Sequence, residues 1–172
     1  MLLISFSILL ILCSAPTCVA ENVDNTPVSE FDLERYMGKW YEIARLDNRY
    51  ERNLSEVTAE YTLDNDLNIT ILNRGFNTHE LEWKEAYGKG ETTPINGQLK
   101  VSFFLFFATD YNVMALGDNY EWALVGSKSH KYLWILSRTP SLDEDTLSHI
   151  MGLAHERGYD VEALNIIEHT EV

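Results

Sequence analysis

The sequence predicts an all-β domain: an eight-stranded antiparallel up-and-down barrel with one C-terminal α-helix packed outside. Three observations predict it. Segments such as "VTAEYTL", "LNITIL" and "QLKVSFF" alternate apolar and polar residues with a period of two, the mark of half-buried strands. Clusters of turn-formers, "DND", "TPING", "GDN" and "SKSH", separate such segments. One stretch of helical spacing follows, from Ser141 to Gly158. Eight strands joined by mostly short turns close into a barrel, which leaves no free sheet edge.

Residues 1–20 carry no charged side chain and hold an apolar run from Leu2 to Leu12. That run is short for a membrane span and has the length of a signal-peptide core, so export is expected, with cleavage after Ala20. Cys13 and Cys18 both lie in this segment, so the exported domain has no disulfide. Lipid anchoring through one of them is the alternative, although neither sits in a good lipobox. A polar leader then spans 21–30 and the barrel domain 31–172.

Strands are expected at Trp40 to Asn48, Val57 to Leu63, Leu67 to Leu72, Trp83 to Gly90 and Gln98 to Phe103. Three more follow at Tyr111 to Leu116, Tyr120 to Gly126 and Tyr132 to Ser137. "NRGFN" reads as the turn after the third strand. Ser141 opens the helix with Glu144 at capping-box spacing; Leu147, Ile150, Met151 and Ala154 form its apolar stripe, and Gly158 ends it. A last short strand, "LNIIEH", is expected along the outside of the barrel.

The formal charge of -14 argues against nucleic acid as a partner and against attraction of the protein body to an anionic membrane. Catalytic signals are weak: no nucleophile elbow, no Gly-rich phosphate loop, and five scattered histidines with no shared metal spacing. An enzyme, a metal site and a cofactor are therefore not expected.

"GKWYEIARLDNRYER" and "YLWILSRTP" resemble the opening and the last barrel strand of the lipocalins. With "NRGFN" and "LKVSFF" the chain is most similar to the bacterial outer-membrane lipocalins, over Phe31 to Glu168. The resemblance implies that Gly38 and Trp40 close one end of the barrel and that Arg138 lies across the indole, a cation–π pair. The family's Thr-Asp-Tyr turn joins strands six and seven. The literal Thr109 to Tyr111 follows strand five, so Asp118 in "LGDNYEWALV" is the better match.

Alternation, together with the family's strands, places Ala44, Ala59, Tyr61, Ile69, Ile71 and Asn73 inside the barrel, with Val101, Phe103, Asn112, Met114, Val125 and Trp134. Ala86, Gly88 and Gly90 leave room on strand four; a slip of one residue would fill that space with Trp83 and Tyr87. This lining is mostly apolar with a few polar groups, as ligand pockets are. Tyr61, Asn73 and Asn112 either bond a head group or are satisfied core residues. Glu42 points inward and needs a partner: a tyrosine, a lysine or a ligand ammonium. Arg45, Arg49 and Arg52 either meet a lipid phosphate near the open end or are solvated or paired with Glu51 and Glu56. Strand five breaks after Phe103, and Phe104, Leu105, Phe106 and Phe107 form a loop at the mouth. That loop is either an apolar lip for acyl chains and membrane contact or a filling of the upper barrel.

The expected function is binding and transport or storage of a hydrophobic small molecule, a fatty acid or a lysophospholipid. The expected place is the bacterial outer membrane or periplasm. Two alternatives remain: a haem or tetrapyrrole carrier using His79 or His130, and a packed barrel serving as an interaction module, with a homodimer formed through the phenylalanine loop.

Overall fold

The computed structural model describes residues 23–104 and 107–170, with the side chains of residues 104 and 107 outside the description. The expected signal segment, with Cys13 and Cys18, and the loop residues Leu105 and Phe106 lie outside the described residues. A short helix α1 (Leu33–Tyr36), started by Asp32 accepting from the Arg35 N–H at 3.1 Å, leads into the strands. These are β1 (Gly38–Leu46), β2 (Leu54–Leu63), β3 (Ile69–Asn77), β4 (Glu82–Thr92), β5 (Gln98–Phe104), β6 (Phe107–Leu116), β7 (Trp122–Gly126) and β8 (Leu133–Ser137). Helix α2 (Glu144–Glu156) and β9 (Leu164–Ile166) follow. All neighbouring strands pair antiparallel, and β1 pairs with both β8 and β2, which closes the barrel.

Several expectations are corrected. "NRGFN" is strand, not turn: Asn73 to Asn77 pair with Ala86 to Glu82 along β4. Gly75 is needed there because a side chain would meet Val57 Cγ2 at 3.1 Å and Leu54 at 3.3 Å, so its role is close approach. Likewise β5 runs to Phe104 and β6 begins at Phe107, these two being register partners. Phe104 and Phe107 are thus strand residues rather than a mouth loop, and Thr109 to Tyr111 lie inside β6. The cap of α2 is Asp143, which accepts from the Thr146 N–H at 2.9 Å, and not Ser141. Gly158 ends this helical segment at φ +88°, donating to the His155 carbonyl.

The tail does more than lie along the outside. Direct β1–β2 pairing stops at Tyr41 and Thr58, and β9 pairs with Ala44, Arg45 and Leu46 beyond it. Ile167 N–H donates to the Ile43 carbonyl at 2.9 Å, and Glu56 N–H to the Glu168 carbonyl at 3.3 Å. Residues 164–168 therefore bridge the seam between the upper halves of β1 and β2.

Two cores result. One fills the barrel around Trp40, Tyr61, Ile71, Leu99, Val113 and Val125. The other lies outside it, where Ile150 and Ala154 of α2 pack on Ile43, Leu124, Leu133 and Ile135. Burying Ile150 completely contributes about 2 kcal/mol, which anchors the helix to the wall more firmly than its own propensity would.

This second core overturns three inward assignments. Ala44 and Met114 belong to the outer core, with Tyr159 Oη donating to Met114 Sδ at 3.8 Å. Asn112 also faces out: it accepts from Gln98 Nε2 at 3.0 Å and donates to the Asn25 carbonyl of the leader. Tyr111, Val113 and, past the bulge, Leu116 of β6 pack on the inner core instead. A strand covered on both faces loses its polar alternation, and bulges at Glu42/Ala44 and Val113/Ala115 then shift its parity.

Candidate functional site

The closed end is sealed by chemistry of its own. Arg138 stacks over Trp40 at 3.7 Å from the ring centroid. Its N–H groups donate to four carbonyls: Lys39 and Arg35 at 2.8 Å, Tyr36 at 3.1 Å and Tyr120 at 3.3 Å. Gly38 sits beneath it at φ +91°, a left-handed conformation that favours glycine. Asp118 lies exposed in the Gly117 to Glu121 turn and meets α1 only through its backbone carbonyl, which accepts from Arg35 Nη2 at 3.4 Å. The turn is braced instead by Glu121, whose Oε2 accepts from the Asn119 N–H at 2.9 Å.

Above this seal three tyrosine hydroxyls form a buried chain, Tyr36 to Tyr111 at 2.6 Å and Tyr61 to Tyr111 at 2.9 Å. Burial pushes all three phenols up, so they remain neutral hydrogen-bonding groups. Ile69 and Ile71 of the expected lining are packed here with 1% of their surface exposed, so the lower barrel is solid core, and Val125, the register partner of Trp134, is fully buried too.

The upper barrel is different. Ala59, Asn73 and Ala86 share one rung across β2, β3 and β4, and each keeps accessible surface although it belongs to the inward set. Ala86, Gly88 and Gly90 all fall on the inner side of β4, with Trp83 and Tyr87 outside and exposed. Phe103 packs over Gly88, where an added side chain would meet its ring at 2.7 Å. Val101 lies just below, and Trp134 packs on the same inner core, half-buried and stacked on Tyr132 at 5.9 Å.

A polar cluster lies on upper β1 and the β1–β2 loop. Arg45 Nη1 donates to Glu42 Oε1 at 2.5 Å, and both side chains are buried. Arg45 Nη2 donates to the carbonyls of Glu51 at 2.7 Å and Leu54 at 3.0 Å, tying the β1–β2 loop down. Trp134 Nε1 donates to Glu51 Oε2 at 3.0 Å. Burial, reinforced by the Glu51 carboxylate, pushes the Glu42 carboxyl well up against the opposing pull of Arg45. Sequence reasoning named other partners for Glu42, and offered Arg45 a lipid phosphate, solvent, or Glu51 and Glu56, of which Glu51 does hold it, through its backbone carbonyl. The i,i+3 spacing is wrong for a flat strand, and only the bulge brings both to one face.

Arg49 and Arg52 stand exposed on the β1–β2 loop; Arg49 lies over Tyr50 at 4.6 Å and Arg52 pairs with Asp47 at 3.1 Å. His79 is in the β3–β4 turn and His130 in the β7–β8 loop. Among the described residues no group of three or more His, Cys, Asp or Glu could hold a metal ion. A separate cleft of about 310 Å³ lies outside the barrel between Leu46, His130, Tyr159 and Asp160.

Comparison with known proteins agrees with this architecture. The family profile "Lipocalin-like domain" matches residues 31–169. The chain is 45% identical over 170 residues to "Outer membrane lipoprotein Blc" of Vibrio cholerae, covering 94% of this chain and 98% of that one. It is 43% identical to the protein of that name from Escherichia coli K12, covering 89% and 86%. "Temperature-induced lipocalin-1" of Arabidopsis thaliana is 34% identical, covering 86% and 84%. Insecticyanin from the tobacco hornworm superposes with a TM-score of 0.72 at 20% identity over 87% of each chain, a likeness of fold.

Proposed function

Because the chain belongs to the lipocalin family, whose members are binding proteins, we propose that it takes up a single-chain amphiphile, a fatty acid or a lysophospholipid, in the upper barrel. The observation that carries this reading is the rung of small residues, Ala59 and Ala86 beside Asn73, which leaves accessible surface inside a barrel whose lower half is packed. An acyl chain gains about 0.8 kcal/mol for each methylene buried there. Asn73 Oδ1 is buried and without a partner, and it suits a hydroxyl or amide of the ligand. The protein acts by encapsulation, as a carrier or store rather than an enzyme. Its place is the envelope, a reading supported by relatives named for the outer membrane.

Contact with a lipid surface at the open end fits the exposed Tyr50 and Leu81 on the β1–β2 and β3–β4 tips. Native mass spectrometry of gently purified protein, titrated with oleate and with oleoyl lysophospholipids, tests the reading. Saturable one-to-one uptake is expected. Absence of uptake in both classes would leave a packed barrel and refute the carrier.

A further inference from the structure

The loop from Asp47 to Asn53, between β1 and β2, does not stand clear of the barrel. Glu42 and Arg45 are register partners of Leu136 and Trp134, which pack on the inner core, so both lie on the inner face of β1. From there Arg45 Nη2 donates to the carbonyls of Glu51 and Leu54. The Glu51 carboxyl in turn accepts from Asn48 Nδ2 at 2.5 Å and from Trp134 Nε1 at 3.0 Å. The loop is thus drawn in toward inward-facing side chains of β1 and β8. It passes into β2 through two left-handed residues, Asn53 at φ +64° and Glu56 at φ +51°. Asparagine adopts such angles more readily than glutamate, so the path is held by its attachments rather than by local preference.

Those attachments turn on one proton. The Glu42 and Glu51 carboxyls lie within hydrogen-bonding reach of each other. Ionised carboxylates only accept, so a bond between the two needs a proton on one of them. Burial, and then the Glu51 carboxylate, keep that proton on Glu42 against the pull of Arg45. Arg45 bonds the Glu42 carboxyl but only the backbone of Glu51. The remaining neighbours cannot replace the proton. Asn48 and Trp134 donate to Glu51 without titrating. The Tyr61 phenol of β2, pushed up by burial first and then by these carboxylates, stays neutral. His169 of the tail meets only the Glu42 backbone carbonyl. Losing the proton leaves two like charges beside one guanidinium. Glu42 is buried and fixed in β1, whereas Glu51 is half-buried on a loop, so Glu51 is the one that moves.

We propose that Asp47 to Asn53 form a lid over the upper barrel, held shut by a proton shared between Glu42 and Glu51 and released when that proton leaves at higher pH. The lid stands on the protein alone; its effect on ligand exchange rests on the carrier reading above. The indole N–H signals of isotope-labelled protein are followed by NMR through a pH titration, with Trp134 assigned by its loss in Trp134→Phe. As pH rises above the ordinary carboxyl range, the Trp134 signal is expected to shift and its protection against exchange to fall about tenfold or more. Glu42→Gln keeps a neutral donor and acceptor at that place, so its signal is expected to stay level. Release of oleate or an oleoyl lysophospholipid, by stopped-flow displacement, should quicken along the same curve in the unaltered protein and stay level in Glu42→Gln.

A Trp134 signal indifferent to pH in the unaltered protein would overturn the proposal, and that measurement needs no variant to fold. A step that persists in Glu42→Gln would overturn it too, moving the titration to His169. A lid step with level ligand release would refute the gate. Uptake of neither amphiphile would refute the carrier reading, while the Trp134 signal would still decide the lid.

Discussion

Arg138 does at the closed end what no other side chain type could. Its planar fork reaches carbonyls on α1, β1 and the β6–β7 turn while covering the Trp40 ring. Lysine would keep the charge and lose the fork, so Arg138→Lys is expected to lower stability by about 2–3 kcal/mol in urea unfolding. Uptake into the far half of the barrel should persist. Glu42 has the opposite signature. Its folded-state affinity for the proton is raised, so the associated stability is complete below the unfolded carboxyl range and declines as pH rises through the folded value. Glu42→Gln is therefore expected to flatten the fall in urea midpoint as pH rises above the ordinary carboxyl range. An unchanged slope would place the proton elsewhere.

Two elements have boundaries that substitutions can probe. Asp143 both caps α2 through the Thr146 N–H and bonds the Thr146 hydroxyl at 2.8 Å. Asp143→Ala should cost about 1 kcal/mol, and Ser141→Ala close to nothing, by thermal or urea unfolding. The reverse ranking would restore Ser141 as the cap. On β4, Gly88 owes its place to the Phe103 ring rather than to any unusual backbone angle. Gly88→Val must displace that ring, at about 1–3 kcal/mol, and should reduce ligand capacity at the same time. Full capacity in a folded Gly88→Val protein would mean that the ligand does not touch this wall.

For the whole molecule, the seam beside β1 is the exposed feature of the design. Upper β1 and β2 are joined through residues 164–168 and through the Arg45 bond to the Leu54 carbonyl, not by direct strand pairing. His169 adds to the join, its Nε2 lying 2.8 Å from the Glu42 carbonyl and its ring edge-on to Tyr41 at 5.2 Å. Truncation after Ala163 should leave the lower barrel folded while opening the wall beside Arg45. The expected result is faster ligand release, measured by stopped-flow displacement, with far-UV circular dichroism little changed. An unaltered release rate would show that the tail only decorates the barrel.

Strand count, antiparallel order and the late helix could be read from the chain, because period-two patterning and turn residues act locally, whereas the Trp40–Arg138 pairing was implied only by the resemblance of two motif segments to the lipocalins. The inward set on β2 to β5 was legible for the same reason: Ala59, Asn73 and Ala86 lie on strands with one wet face. Only tertiary structure decided β1 and β6. There α2, the leader and the tail bury the outer face as well, so alternation carried no information about which side of Ala44, Asn112 or Met114 was core. The Glu42–Arg45 pair was hidden by the same physics. A bulge is set by strands meeting across a closed barrel, and no spacing along β1 announces it.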